Sequence, residues 1–122
     1  MASSVTVTEE AHDRGFRKVT FAWTGHTDGV VTKVETTGTY TGKVEVLITD
    51  PDGSAIPTDD YDVTVTDDED YDILAGAGID RDTANTETVL SSSLGAVFES
   101  KIGPVVTNSG TSKQGKIVLL IR

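Results

Sequence analysis

The sequence contains no cysteine, which removes disulfide scaffolds, thiol catalysis and cysteine-type zinc sites from consideration. Aromatic residues make up only 6%, as three Phe, three Tyr and one Trp, too few for an extended stacking platform for sugars or bases. Basic residues are outnumbered two to one, 10 against 20 acids, and a net charge of −10 disfavours binding to a phosphate backbone. No apolar run approaches the roughly 20 residues that span a bilayer, and Met1 to Thr6 lacks the basic-then-apolar layout of a secretory signal. Neither nucleic acid nor membrane is therefore expected as a partner. The two histidines, His12 and His26, each lie near an aspartate, Asp13 and Asp28, but no G-x-S-x-G elbow accompanies them. They read as exposed loop residues, and the expectation is a protein that is not an enzyme and carries no catalytic residue, cofactor or metal.

What is present is acid, and it is concentrated. Twelve of the twenty acids fall between Asp50 and Asp82 against one base, Arg81, a local charge of −11 that leaves the remainder at +1. One end or face of the domain is therefore expected to be anionic, with the rest freer to meet a partner. Asp50, Asp52, Asp67, Asp68, Glu69 and Asp70 are hard oxygen donors in turns, and two such loops meeting at one end would suit calcium. Yet Asp67-Asp68-Glu69-Asp70-Tyr71-Asp72 lacks the glycine on which the EF-hand loop turns, so solvated acidic turns are the preferred reading. Gly76-Ala77-Gly78 is followed by neither a lysine nor a helix, and reads as a turn, not a phosphate cradle.

Hydrophobic periodicity points to strands. Val19, Phe21 and Trp23 alternate with Lys18, Thr20 and Thr24; Val44, Val46 and Ile48 repeat the pattern, as do Tyr61, Val63 and Val65. Trp23 is placed in the core by its position on that face, and Tyr61 and Tyr71 flank the acidic turn, where they could pack across a hairpin. Gly25 to Gly29, Gly38 to Gly42, Asp50-Pro51-Asp52-Gly53 and Asp67 to Asp70 supply turn chemistry between runs. Ile117-Val118-Leu119-Leu120-Ile121 is apolar without alternation, and predicts a strand covered on both faces. Residues 80 to 90 read as a long connection holding at most one helical turn, capped by Asp82 or Thr83.

The fold class expected is all-β, a β-sandwich or small barrel of about six to eight strands with long loops. Residues 1–17 form an N-terminal arm or edge strand, and 18–122 a single β domain. Val5 and Val7 alternate within the first segment, and Arg14, Arg17 and Lys18 are the only local excess of positive charge. These five residues are the candidate partner-binding set, in which the strand docks on a neighbour and the bases steer it to acid; the alternative is that Val5 and Val7 pair within their own sheet.

Several loop phrases carry a resemblance. Trp23-Thr24-Gly25, Asp28-Gly29, Thr49-Asp50-Pro51-Asp52-Gly53, Pro57 to Asp67, Asp72 to Gly78, Arg81 to Glu87 and Val106-Thr107-Asn108-Ser109-Gly110 together resemble small structural proteins of tailed bacteriophages, across roughly residues 18 to 122. The resemblance implies a virion protein made in the bacterial cytoplasm. The role it suggests is a capsid decoration, or cement, protein on the outer capsid surface, with the major capsid protein as partner and a homo-oligomer, first a trimer, as its state. A head-to-tail connector or tail protein is the structural alternative. A carbohydrate- or receptor-binding β-sandwich module is the alternative of another class.

Overall fold

Threonine and valine dominate the alternating runs, and their branched side chains suit a pleated, half-buried surface. In a computed structural model that describes residues 3–12, 15–51, 53–58, 60–81 and 85–122, these runs form eight strands. They are β1 (Ser4–Ala11), β2 (Arg17–Thr24), β3 (Tyr40–Pro51), β4 (Asp62–Thr66), β5 (Glu87–Leu90), β6 (Ala96–Ser100), β7 (Gly103–Thr107) and β8 (Gln114–Ile121). One antiparallel sheet runs β1-β2-β8-β3-β5, with β6 also on β3; β4 and β7 pair in a second. The sheets do not close into a barrel, and the terminal strand β8 lies at the centre of the larger one.

Of the two expectations for the first segment, arm or edge strand, the described residues form the edge strand. Ser4 through Ala11 pair residue by residue with Thr24 back to Arg17, which makes β1 the edge strand of the chain's own sheet. Val5 lies opposite Trp23 and Val7 opposite Phe21, and both pack against the core. Ser4–Ala11 are thus part of the β domain, as the edge-strand alternative has it, because pairing with the adjacent β2 closes only a short loop, at little entropic cost.

Alternation dictates the core. Val19, Phe21 and Trp23 of β2, Val44 and Leu47 of β3 and Ile117, Leu119 and Ile121 of β8 are buried on one face of the large sheet. Val63, Val65 and Val106 from the small sheet join the same cluster, with Val31, Ile73, Leu74, Leu94 and Ile102 supplied by connections. Trp23 and Tyr61 rings lie 5.9 Å apart. Gly115 is the residue opposite Trp23, and a Cβ there would meet the indole at 2.7 Å, so glycine is what lets the ring lie across β8.

Three expectations are corrected. The segment from residue 85 continues into β5, not a helix, because Val46 to Thr49 offer it a free strand edge; the cap candidates Asp82 and Thr83 lie outside the described residues. Tyr61 is buried whereas Tyr71 is half exposed, so they do not form a matched pair across the turn. The terminal strand is covered on one face only: Ile117, Leu119 and Ile121 are buried, but Val118 and Leu120 on the other face are partly open.

β5 and β6 lie end to end on the same edge of β3, separated by a 3₁₀ turn at Ser91–Ser93 and two linking residues. Lys43 holds this interruption. Its Nζ donates to the carbonyls of Ser91 at 2.8 Å, of Gly95 at 3.3 Å and of Leu94.

Candidate functional site

The candidate partner-binding residues are divided by the fold. Val5 and Val7 face inward on β1, and Arg14 lies outside the described residues. Arg17 is committed to an internal clamp, with its guanidinium 4.4 Å from the centre of the Tyr40 ring. The same clamp holds Glu9, which faces inward beside Val7. Its Oε1 accepts from the Tyr40 hydroxyl at 2.6 Å and from the Gly38 amide at 3.1 Å, and its Oε2 accepts from the Thr37 hydroxyl at 2.7 Å and amide at 3.1 Å. Burial pushes the Glu9 carboxyl up, but these bonds to its ionised form outweigh that and hold it at about 2. Tyr40 is displaced upward by burial and by the adjacent Glu9 charge. This cluster fastens the edge strand to the loop before β3.

Of the four that are described, Lys18 lies on the open face, where with His12, Phe16 and Leu120 it lines a shallow apolar hollow of about 330 Å³. The hollow is one end of a larger surface that sequence reasoning missed. On the face of the large sheet turned away from the core, register aligns Lys18, Leu120, Val46 and Leu90 in one row across β2, β8, β3 and β5. Thr20, Val118, Ile48 and Thr88 form the next row, and Ala22, Lys116 and Asp50 a third. Leu90 is 64% exposed, and Phe98, on the edge strand β6, is 75% exposed. The legible signal was the unalternating run at 117–121, whose second apolar face anticipated a cover. Beside the third row an open cleft of about 360 Å³ is lined by Ser4, Thr6, Thr24, Gln114, Asp50 and Lys116.

The histidines are exposed. His12 Nε2 lies 3.1 Å from Glu10 Oε2, and His26 Nδ1 lies 3.2 Å from Asp28 Oδ1. The Thr27 hydroxyl meets His26 at the same Nδ1, at 3.2 Å. A nucleophile–base–carboxylate relay uses both ring nitrogens, so these three side chains do not compose one.

The acids of the −11 segment are used by the backbone more than solvated turns require. Asp67 Oδ1 accepts from the amides of Glu69 at 2.9 Å and Tyr71 at 3.0 Å. Asp72 accepts from Leu74 and Gly76, both at 3.0 Å, and Asp62 accepts from the Asp80 amide at 3.0 Å and the Asn108 side chain at 2.8 Å. Asp60, Asp70 and Asp80 take left-handed backbone, with φ of 62°, 60° and 56°, which aspartate tolerates better than most residues. The two loops once considered for calcium do not converge. Asp50 lies on β3 opposite Lys116 of the large sheet, whereas Asp67 follows the end of β4 in the small one. Asp52 lies outside the described residues, and among those described no group of three or more His, Asp or Glu is placed to hold a metal ion.

Tyr61 is pushed up to about 12 by burial, moderated by Thr49 and Arg81, and stays protonated at neutral pH. Among the described residues, Trp23 Nε1 and Arg81 Nε are buried without a hydrogen-bond partner, and Arg81 Nη1 lies 3.7 Å from Glu87 Oε1.

No protein-family model, curated protein or solved structure matches this chain.

Proposed function

We propose that this chain is a structural protein of a tailed-bacteriophage virion, a capsid decoration protein that binds the outer surface of the assembled shell and stabilises it. The loop phrases of residues 18–122 support the phage assignment, and the surface chemistry supports a docking role. The observation that carries docking is Phe98. Among the described residues it is the most exposed large apolar side chain, at 75%, and it sits on the edge strand β6 beside Ala96, which is also exposed. Full burial of such a side chain contributes about 1.5–3 kcal/mol. That is weak for one contact, but sufficient when many copies each bridge shell subunits, because a ligand that binds only the assembled state stabilises it by mass action. The acidic turns then face solvent, where like charge limits clumping of particles.

The test is binding of the purified chain to shells that lack it. Occupancy in proportion to the number of shell subunits is expected, and Phe98→Ser is expected to lower it with thermal unfolding unchanged. A small fixed number of copies confined to the neck would mean a connector or tail component instead, and binding to sugars but not shells would mean a receptor-binding module.

A further inference from the structure

An antiparallel strand with one wet face alternates apolar and polar residues. β8, the central strand of the large sheet, does not: Val118 and Leu120 point away from the core as Ile117, Leu119 and Ile121 point into it. Their neighbours in register on β3, Ile48 opposite Val118 and Val46 opposite Leu120, are also apolar and also only partly buried. Four aliphatic side chains thus form one patch in the middle of the sheet, extended by Leu90 opposite Val46.

We infer that this patch is the contact surface between two copies of this chain, related by a two-fold axis. Charge selects a second copy as the occupant. With Glu10 opposite Lys18 and Thr6 opposite Ala22 on β1, the three rows of this face hold Lys18 and Lys116 against Glu10 and Asp50, a balanced set, with Arg122 at its rim over the Phe16 ring. The whole chain carries −10, with −11 in residues 50–82, so two copies repel each other over most approaches. On this face they meet without net repulsion, and each brings both signs to the other. A strongly basic or acidic partner would find no excess of the opposite sign here.

Register also gives the arrangement. Strands stand about 4.8 Å apart, and successive side chains on one face about 7 Å apart along a strand. On that grid Lys18 of β2 and Asp50 of β3 occupy opposite corners around Val118. An axis lying in the face through Val118, perpendicular to the line from Lys18 to Asp50, exchanges the two corners and crosses β3 between Val46 and Ile48. It sets Lys18 of one copy against Asp50 of the other, twice, and Leu120 against Ile48. The strands of the two sheets then cross at about 70°, nearer to the orthogonal than to the aligned way in which sheets pack face to face. Asp50 already accepts from the Thr86 hydroxyl at 2.9 Å, which holds its carboxylate in place with lone pairs to spare. The contact is isologous, so it closes at two copies and not at three. It involves neither Phe98 nor the shell, and so stands or falls apart from the proposed virion role.

Sedimentation equilibrium of the purified full chain tests it. The wild type is expected as a dimer whose unfolding temperature rises with protein concentration, and Val118→Asp, K18E and D50K each as monomers that are folded by circular dichroism and whose unfolding temperature does not depend on concentration. The double variant K18E/D50K restores the opposed charges and is expected to return to a dimer. A wild type that is monomeric over the accessible concentration range, or that forms closed trimers, would overturn the inference. So would K18E/D50K remaining monomeric while folded, an outcome that does not depend on whether Val118→Asp folds.

Discussion

At the scale of single residues, the clearest device is the Glu9 clamp. The carboxylate of an edge strand is turned inward and given four hydrogen bonds, from Tyr40, Thr37 and Gly38. Its folded pKa of about 2 lies below the ordinary 4.5, so ionised Glu9 stabilises the fold at pH values above about 4.5. That contribution is lost as pH falls toward 2. The unfolding temperature of the wild type is therefore expected to drop through this window more steeply than that of Glu9→Gln, with the two curves converging at the acid end; calorimetry across pH checks it. Parallel curves would mean that the clamp contributes nothing. The same scale explains the acidity of residues 50–82. Aspartate recurs there because its short side chain accepts from amides two to four residues on, and because its backbone tolerates the left-handed region.

At the scale of elements, two strands carry opposite lessons. β1 looked separable because it precedes the first strongly alternating run. It is instead paired along its whole length, packs Val5 and Val7 on the core and supplies Glu9. Deleting residues 2–13 is expected to lower the unfolding temperature of the isolated chain, since it strips the cover from Phe21 and Trp23 and leaves the amides of Thr37 and Gly38 without their acceptor. An unchanged unfolding temperature by calorimetry would instead return β1 to the role of a dispensable arm. β8 ends the chain yet sits between β2 and β3, and Leu119 on it is fully buried. Leu119→Asp places a carboxylate without a partner in the core, at a cost of on the order of 4 kcal/mol or more. The expected outcome is an insoluble or unfolded variant by circular dichroism, whereas a soluble protein that unfolds at the wild-type temperature would contradict the central placement.

At the scale of the whole molecule, charge is distributed against stability. A segment of −11 folded into turns repels itself, and a Debye length of about 8 Å at physiological salt screens exposed acids from one another only in part. The unfolding temperature is expected to rise as salt is added from low ionic strength. Neutralising the exposed Asp68 and Glu69 as D68N/E69Q is expected to raise it in low salt and to reduce its dependence on salt. A double variant no more stable than wild type at low salt would show that the turns hold their acids far enough apart.

The all-β class, the inward set Val19, Phe21, Trp23, Val63 and Val65, and the turns around the acidic segment were determined by sequence alone, because side-chain period and turn chemistry are local properties. The surplus of apolar residues at 117–121 was legible too, but not what it faced. Only tertiary structure decided that β8 is covered on one side, since the second sheet packs on a single face of the first and leaves Val118 and Leu120 to the other. Only it decided that Lys18 and Asp50, 32 positions apart, share one face with Val46 and Ile48, because strand order and register are set by long-range pairing that no local pattern encodes. Lys43 makes the same point: nothing near it in the chain announces the three carbonyls it holds, which arrive about fifty residues later when β5 and β6 dock end to end on β3.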